Sequence, residues 1–210
     1  MLKIKICGIT NSEDAGLASM LGADYIGLNF CKESPRKVSL QNASKIFDAL
    51  PPFTTAVGVF VDEPMVDIKK IIKKVGFEII QLHGSESQEY ALELKALGIK
   101  IIKAFKVNSK ETIDNAKKYL ECSDYFLFDS YQEGVAGGTG EVFNWDLALA
   151  AKELGKPFFL AGGLSAENVA QAIAKVQPFA VDVASGVERL PSRKDFEKMK
   201  LFVKAVRSIK

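Results

Sequence analysis

Two side chains at the ends of short hydrophobic runs, Cys7 and Asp129, have the chemistry to exchange protons with a ligand. Cys7 ends the run KIKIC, and Asp129 ends the run DYFLFD. A thiolate is a competent base once its pKa falls from about 8.5, and a carboxylic acid is a competent donor once burial raises its pKa. The pair is therefore a candidate base and acid. The structural alternatives are a small buried thiol for Cys7 and a capping carboxylate for Asp129.

Two glycine-containing segments near the end of the chain, AGGL and ASGVE, could bind a phosphate. Gly162 and Gly163 stand directly before a predicted helix whose first turn carries Ser165, and Ser185 and Gly186 follow the next hydrophobic run. Backbone N–H groups and the positive end of a helix dipole both favour an anion. Tight turns alone would also explain the glycines. In a (β/α)8 barrel, the fold that the strand pattern below predicts, the loops after the seventh and eighth strands are the usual phosphate site, so we predict that the two segments together bind a phosphate.

Three further features are candidates for ligand binding. Arg36 lies in SPRKV, and its guanidinium could hold a carboxylate in a bidentate manner, although the sequence alone slightly favours a solvated arginine. His83, the only histidine, is given a supporting place in ligand binding and no catalytic role. The glycine-rich segment SYQEGVAGGTGEV is predicted to be a mobile flap, and its Gly140 is a further phosphate-binding candidate.

The elements that must position these residues follow a regular alternation. Eight short runs rich in β-branched or aromatic residues are predicted to be strands, and longer amphipathic stretches separate them. The predicted strands are 3–7, 24–30, 55–61, 78–82, 99–105, 124–129, 157–161 and 179–184. Because lysine alternates with aliphatic residues in the first run, we expect it to be half-buried. Eight β/α units predict a single (β/α)8 barrel domain over residues 1–210, with the candidate residues at the carboxyl ends of its strands. The rival is an open doubly wound sheet, but CGITNSED follows the first strand where a Rossmann fingerprint would need G-x-G-x-x-G.

Capping residues mark the starts of several predicted helices. Asn11 precedes the first helix, Ser85 with Gln88 has the spacing of a capping box, and Ser192 with Asp195 looks similar.

Composition limits the remaining possibilities. The 210 residues carry 28 basic and 26 acidic side chains, a net charge of +2, with no block of one sign to indicate nucleic acid or a membrane surface. No run has the length of a signal peptide core or a membrane span, so we expect a cytoplasmic protein. The three cysteines have no C-x-x-C spacing, so we expect reduced thiols and no metal site.

Motifs at the tips of successive predicted strands resemble one family along nearly the whole chain. With KICGIT, SPR, VGVF, QLHG, FDS, GGTG, AGGL and DVASGVE in this order, the sequence resembles phosphoribosylanthranilate isomerases of tryptophan biosynthesis. The resemblance implies an Amadori rearrangement of a phosphosugar without cofactor or metal. It also implies that Asp129 is the general acid, Cys7 the general base and Arg36 the contact of the anthranilate carboxylate. Asp182, in DVASG, would add a polar contact to the substrate.

Other phosphosugar barrels and a non-catalytic sugar-phosphate binder remain the alternatives. A histidine-pathway isomerase would be expected to use two aspartates, and Cys7 argues against it. An indoleglycerol-phosphate synthase would carry a lysine at a strand end, and Lys106 keeps that alternative open. A binder would keep AGGL and ASGVE but would not need Cys7 and Asp129 together. Whether the protein is a monomer or a homodimer stays open.

Overall fold

The chain folds into a closed parallel barrel, as predicted. The computed structural model describes residues 1–107, 109–129 and 145–209. Each strand pairs with the next along the chain, and the eighth pairs back with the first. The strands are β1 (Lys3–Cys7), β2 (Tyr25–Asn29), β3 (Thr55–Phe60), β4 (Ile79–Leu82), β5 (Lys100–Lys106), β6 (Tyr125–Asp129), β7 (Phe158–Ala161) and β8 (Ala180–Val183). Every predicted strand is confirmed, with ends within one residue of those observed.

Helices follow the strands and surround the barrel. They are α1 (Ser12–Met20), α2 (Leu40–Ala49), α3 (Met65–Val75), α4 (Gln88–Lys95), α5 (Lys110–Ala116), α6 (Trp145–Lys152), α7 (Val169–Val176) and α8 (Phe196–Arg207). Between β8 and α8 lies a short hairpin that the sequence analysis missed, formed by β9 (Glu188–Leu190) and β10 (Arg193–Lys194).

One helix cap is confirmed and two are wrong. The Asn11 side chain accepts the Asp14 N–H at 2.8 Å, as expected for the cap of α1. The cap of α4 is Ser87 instead of Ser85, because the Ser85 N–H is directed to the Asp62 carboxylate in the loop after β3. The cap of α8 is Asp195 itself, since the chain turns at Ser192 with a φ of 67° before β10 begins.

Both faces of β1 are buried, so the expectation of a half-buried strand is wrong. Ile4 and Ile6 pack in the layer between the barrel and the helices. Lys5 and Cys7 alternate with them and point into the barrel. Lys5 is 0% exposed, since its ammonium reaches across the interior to Gln81 on β4. The lysine that suggested a solvated face therefore lies at the centre of the molecule.

The barrel interior changes from apolar to polar along its axis. An apolar cluster occupies part of the interior and includes Val57, Ile102, Leu127, Phe159 and Ala180. Toward the carboxyl ends of the strands come the buried polar side chains of Lys5, Gln81 and Asp182. This polar layer lies directly beneath the rim residues, where (β/α)8 barrels carry their active sites.

Candidate active site

A buried lysine links three strands beneath the barrel mouth. Lys5 Nζ donates to both Asp182 carboxylate oxygens at 3.1 Å and to Gln81 Oε1 at 2.9 Å. Burial lowers the pKa of Lys5, but the charges of Asp182 and Cys7 outweigh burial, so the pKa lies above its usual value. Lys5 is therefore a cation at neutral pH. Asp182, predicted as a substrate contact, has its carboxylate directed to this lysine.

Cys7 lies one level above Lys5 on β1, at the barrel mouth. It is a free thiol of intermediate exposure. Gly27, its partner on β2, leaves room for it, since a Cβ at Gly27 would lie 2.6 Å from Cys7 Sγ. Burial raises the pKa of the Cys7 thiol, whereas the ammonium groups of Lys5 and Lys194 oppose the rise. The thiol needs positive charge nearby if it is to act as a base.

The acid candidate lies on the opposite side of the mouth, beside the histidine. Asp129 ends β6, and its Oδ2 is 3.7 Å from Nε2 of His83, which follows β4. His83 Nδ1 is 2.8 Å from Nε2 of Gln81. Burial and the Lys5 charge lower the pKa of His83 to about 4, so the ring is neutral at pH 7.

Arg36 is held firmly at the rim and is not a solvated surface arginine. Its Nε and Nη2 donate to the two Glu188 carboxylate oxygens at 2.8 and 2.7 Å, and Lys194 Nζ donates to Glu188 at 3.0 Å. Burial would raise the pKa of Glu188, but Arg36 and Lys194 outweigh burial and hold it below its usual value. The Arg36 side chain also passes over Gly8, where a Cβ would collide with it. Arg36 therefore lies next to the residue that follows Cys7.

The two predicted phosphate-binding segments lie side by side. Gly162 and Gly163 have φ values of 92° and 61°, and a Cβ at Gly186 would collide with the Leu164 carbonyl oxygen. Ser185 and Gly186 belong to a single 3-10 turn, Ser185–Val187. These contacts bring the loops after β7 and β8 together at the rim.

The helix expected directly after the glycines begins later. Helix α7 begins at Val169, so the prediction that Ser165 lies in its first turn is wrong. A turn forms instead, in which the Ser165 N–H donates to Asn168 Oδ1 at 2.8 Å and Asn168 Nδ2 donates to the Gly163 carbonyl. Asn168 thus fixes the loop shape in place of the helix. Gly140 and the predicted flap lie outside the described residues.

Sequence reasoning missed four polar residues of the site, namely Lys5, Gln81, Glu188 and Lys194. Lys5 shares a face with Cys7 by alternation, and this signal was present in the sequence. Gln81 could have been found in the same way from His83. Glu188 and Lys194 come together through the β9–β10 hairpin, and no local pattern indicates that pairing.

Within residues 1–107, 109–129 and 145–209, no cluster of three or more His, Cys, Asp or Glu side chains is arranged to hold a metal ion. Over the same ranges, no helix has the length and apolar character needed to cross a membrane.

The closed parallel barrel, with ionisable side chains gathered at the carboxyl ends of its strands, has the architecture of a (β/α)8-barrel enzyme. The model of the N-(5'-phosphoribosyl)anthranilate (PRA) isomerase family matches residues 4–205. The chain belongs to this family.

Relatives and solved structures agree with this assignment. The N-(5'-phosphoribosyl)anthranilate isomerase of Pelobacter propionicus is 43% identical over 204 residues, covering 97% of this chain and 95% of its own. That of Acidithiobacillus ferrooxidans is 44% identical, covering 99% and 98%.

Among solved structures, phosphoribosyl anthranilate isomerase from Thermotoga maritima has a TM-score of 0.92 and 40% identity, covering 99% of this chain and 100% of its own. A phosphoribosyl anthranilate isomerase in complex with reduced 1-(O-carboxyphenylamino)-1-deoxyribulose 5-phosphate has a TM-score of 0.89 and 38% identity, with coverage of 99% and 100%.

Proposed function

We propose that this chain catalyses the Amadori rearrangement of N-(5-phosphoribosyl)anthranilate to 1-(2-carboxyphenylamino)-1-deoxyribulose 5-phosphate in tryptophan biosynthesis, with Asp129 as general acid and Cys7 as general base. The family match over residues 4–205 carries the reaction. The residue roles are supported by the positions of Cys7 and Asp129 at the ends of β1 and β6, where a ligand in the barrel mouth would lie between them. The match favours this reaction over those of the other phosphosugar barrels.

The proposed chemistry moves protons only. Asp129 protonates the furanose ring oxygen, the bond from that oxygen to C1′ breaks, and the anthranilate nitrogen forms a protonated Schiff base. Cys7, as the thiolate, removes the C2′ proton, and the electron pair neutralises the Schiff base to give an enolamine. Tautomerisation then gives the ketone. The substrate and product are isomers, so no oxidant or reductant is consumed.

The two ends of the substrate would be held by different loops of the rim. Arg36 would face the anthranilate carboxylate, and its bidentate pair with Glu188 fixes the plane of the guanidinium in advance. The amides of Gly162, Gly163, Ser185 and Gly186 would hold the phosphate in the adjoining loops after β7 and β8, the usual phosphate site of this fold. Gly140 remains a candidate for the same phosphate.

Asp182 and His83 would support the substrate from two positions. Asp182 lies in the polar layer beneath the barrel mouth, and His83 lies at the mouth beside Asp129. Asp182 contacts Lys5 with both oxygens, so its effect on a ligand would be exerted mainly through that ion pair. His83 lies beside Asp129 as a neutral ring, so it offers a hydrogen bond instead of a charge.

Turnover of phosphoribosylanthranilate by the purified protein, followed by fluorescence, tests this function. We expect Cys7→Ala and Asp129→Asn each to lower kcat by about 10²–10⁴-fold, the usual contribution of general acid–base catalysis. Affinity for the reduced product analogue, measured by calorimetry, should stay near that of the unchanged protein.

Cys122→Ala serves as the matched control, because Cys122 is buried at a distance from the mouth, just before β6 begins. Its turnover should match that of the unchanged protein. Near-normal turnover by Cys7→Ala or Asp129→Asn would refute the role given to that residue, and absence of any turnover by the unchanged protein would indicate a binding module.

We further propose that the chain is a single domain, acts in the cytoplasm on a small phosphosugar, and needs neither cofactor nor metal. One relative structure is described as mutually generated monomers of a dimeric enzyme from Thermotoga maritima. Either a monomer or a homodimer is compatible with this barrel. Phe53 follows α2 and is 72% exposed, so its apolar side chain would be covered by a second copy of the chain in a homodimer. Light scattering of the protein and of Phe53→Ser would distinguish the two states.

A further inference from the structure

Lys5 is a buried charge that the reaction just proposed does not use. Its side chain is 0% exposed, and its ammonium donates hydrogen bonds to the side chains of Asp182 and Gln81. Burying an ammonium is expensive, and replacing a buried ion pair with apolar residues is often neutral or stabilising. Stability alone therefore gives little reason to place this pair in the barrel interior.

The Lys5 charge acts on the candidate base. Lys5 and Cys7 are two residues apart on β1, so their side chains share the inner face. The charged groups that act on Cys7 are Lys5 from its own strand, Asp182 from β8 and Lys194 from β10, whereas β2 presents only Gly27. Lys5 favours the thiolate, and Asp182 opposes it.

The same ammonium orients the residue beside the candidate acid. Because Gln81 Oε1 accepts from Lys5, the amide nitrogen of Gln81 must face His83 Nδ1, which then accepts. The proton of the neutral ring therefore resides on Nε2, the atom 3.7 Å from Asp129 Oδ2. A chain of contacts thus runs from Asp182 through Lys5, Gln81 and His83 toward Asp129.

We propose that Lys5 is the positioning residue of this active site: its ammonium stabilises Cys7 as the proton acceptor and, through Gln81, directs the His83 N–H toward Asp129. This inference rests on the proposed function, since it assumes that Cys7 and Asp129 are the reacting groups. One cation would then serve both sides of the mouth.

The pH dependence of Cys7 alkylation by iodoacetamide, followed on the Cys7 peptide by mass spectrometry without substrate, tests the proposal. In Lys5→Met, loss of the cation should raise the apparent pKa of Cys7 by about one to three pH units. In Asp182→Asn, loss of the anion should lower it. If the Lys5–Asp182 pair were purely structural, the two substitutions would not shift the apparent pKa of Cys7 in opposite directions.

Turnover gives a second readout. Lys5→Met should lower kcat by about tenfold or more with KM changed by less than about threefold, since the ammonium does not contact the substrate. If Lys5→Met does not fold, Asp182→Asn decides, because it retains both the lysine and a hydrogen-bond acceptor for it. An unchanged or raised pKa of Cys7 in Asp182→Asn would overturn the proposal.

Lys103→Met is the matched control, because Lys103 is also buried and paired, with Glu86 at 2.9 Å, but on the far side of the barrel wall. Its Cys7 alkylation profile should be unchanged, and a shift as large as that of Lys5→Met would overturn the proposal. The proposed function fails separately, through turnover retained in Cys7→Ala.

Discussion

Two of the buried lysine–carboxylate pairs, Lys5–Asp182 and Lys103–Glu86, lie on opposite sides of the barrel wall, and their further partners differ. Lys103 lies outside the wall, where its ammonium donates to Glu86 and to the Leu82 and Gly84 carbonyl oxygens. Lys5 lies inside, where its ammonium donates to the side chains of Gln81 and Asp182. The outer lysine holds the backbone on both sides of His83, whereas the inner lysine contacts side chains inside the barrel, next to the candidate acid and base. Burial of a charge is thus associated with stability on one side of the wall and with chemistry on the other.

The largest effect is expected from breaking the outer pair. Lys103→Met leaves the Glu86 carboxylate buried without its cation, so the free energy of unfolding should fall by about 3–5 kcal/mol in urea denaturation. The kcat of the folded protein should stay near normal. The exposed pair Lys69–Glu93 offers a control, since Lys69→Met should cost less than about 1 kcal/mol. A loss of kcat with unchanged stability would contradict the comparison.

Two glycines test the same contrast with a single methyl group each. Gly27→Ala places a Cβ 2.6 Å from Cys7 Sγ inside the barrel, so we expect kcat to fall by about 100-fold from displacement of the thiol. Gly58→Ala places one 2.8 Å from the Phe60 ring outside the wall, and should cost about 1–3 kcal/mol in unfolding free energy with kcat unchanged. Steady-state turnover and urea unfolding of both variants measure this. Equal effects on kcat would show that the two sides of the wall are not functionally distinct.

The last effect concerns the His83 charge and appears only at acidic pH. The folded pKa of about 4 lies below the usual value near 6.5, so the unfolded chain binds more protons between those values. Stability should therefore be fully present above about pH 6.5 and decline as the pH falls toward 4. Because His83 is the only histidine, one ring resonance in proton NMR reports its titration. His83→Asn should lose this part of the pH dependence, and a resonance that titrates near 6.5 would contradict the assignment.

Local patterns were enough to predict the barrel and the ends of its strands, because alternation of β and α segments depends on neighbours in the sequence. They also located Cys7 and Asp129 at the mouth. The partners of these residues were less accessible, since Lys5 was interpreted from its polarity as solvent-facing. The face of β1 that carries Lys5 becomes buried only when the eight strands close into a barrel. Glu188 pairs with Arg36 across 152 residues, a contact set by the hairpin and not by any local pattern.

The absence of a side chain at Gly186 lets the loop after β8 lie directly against the Leu164 carbonyl of the loop after β7. Each loop therefore has its shape specified partly by the other. If recombination between relatives exchanged one of these segments alone, the loop from one relative would pack against a loop from the other whose shape does not match it. The two segments are expected to be inherited, and to be transplanted into other barrels, as one unit.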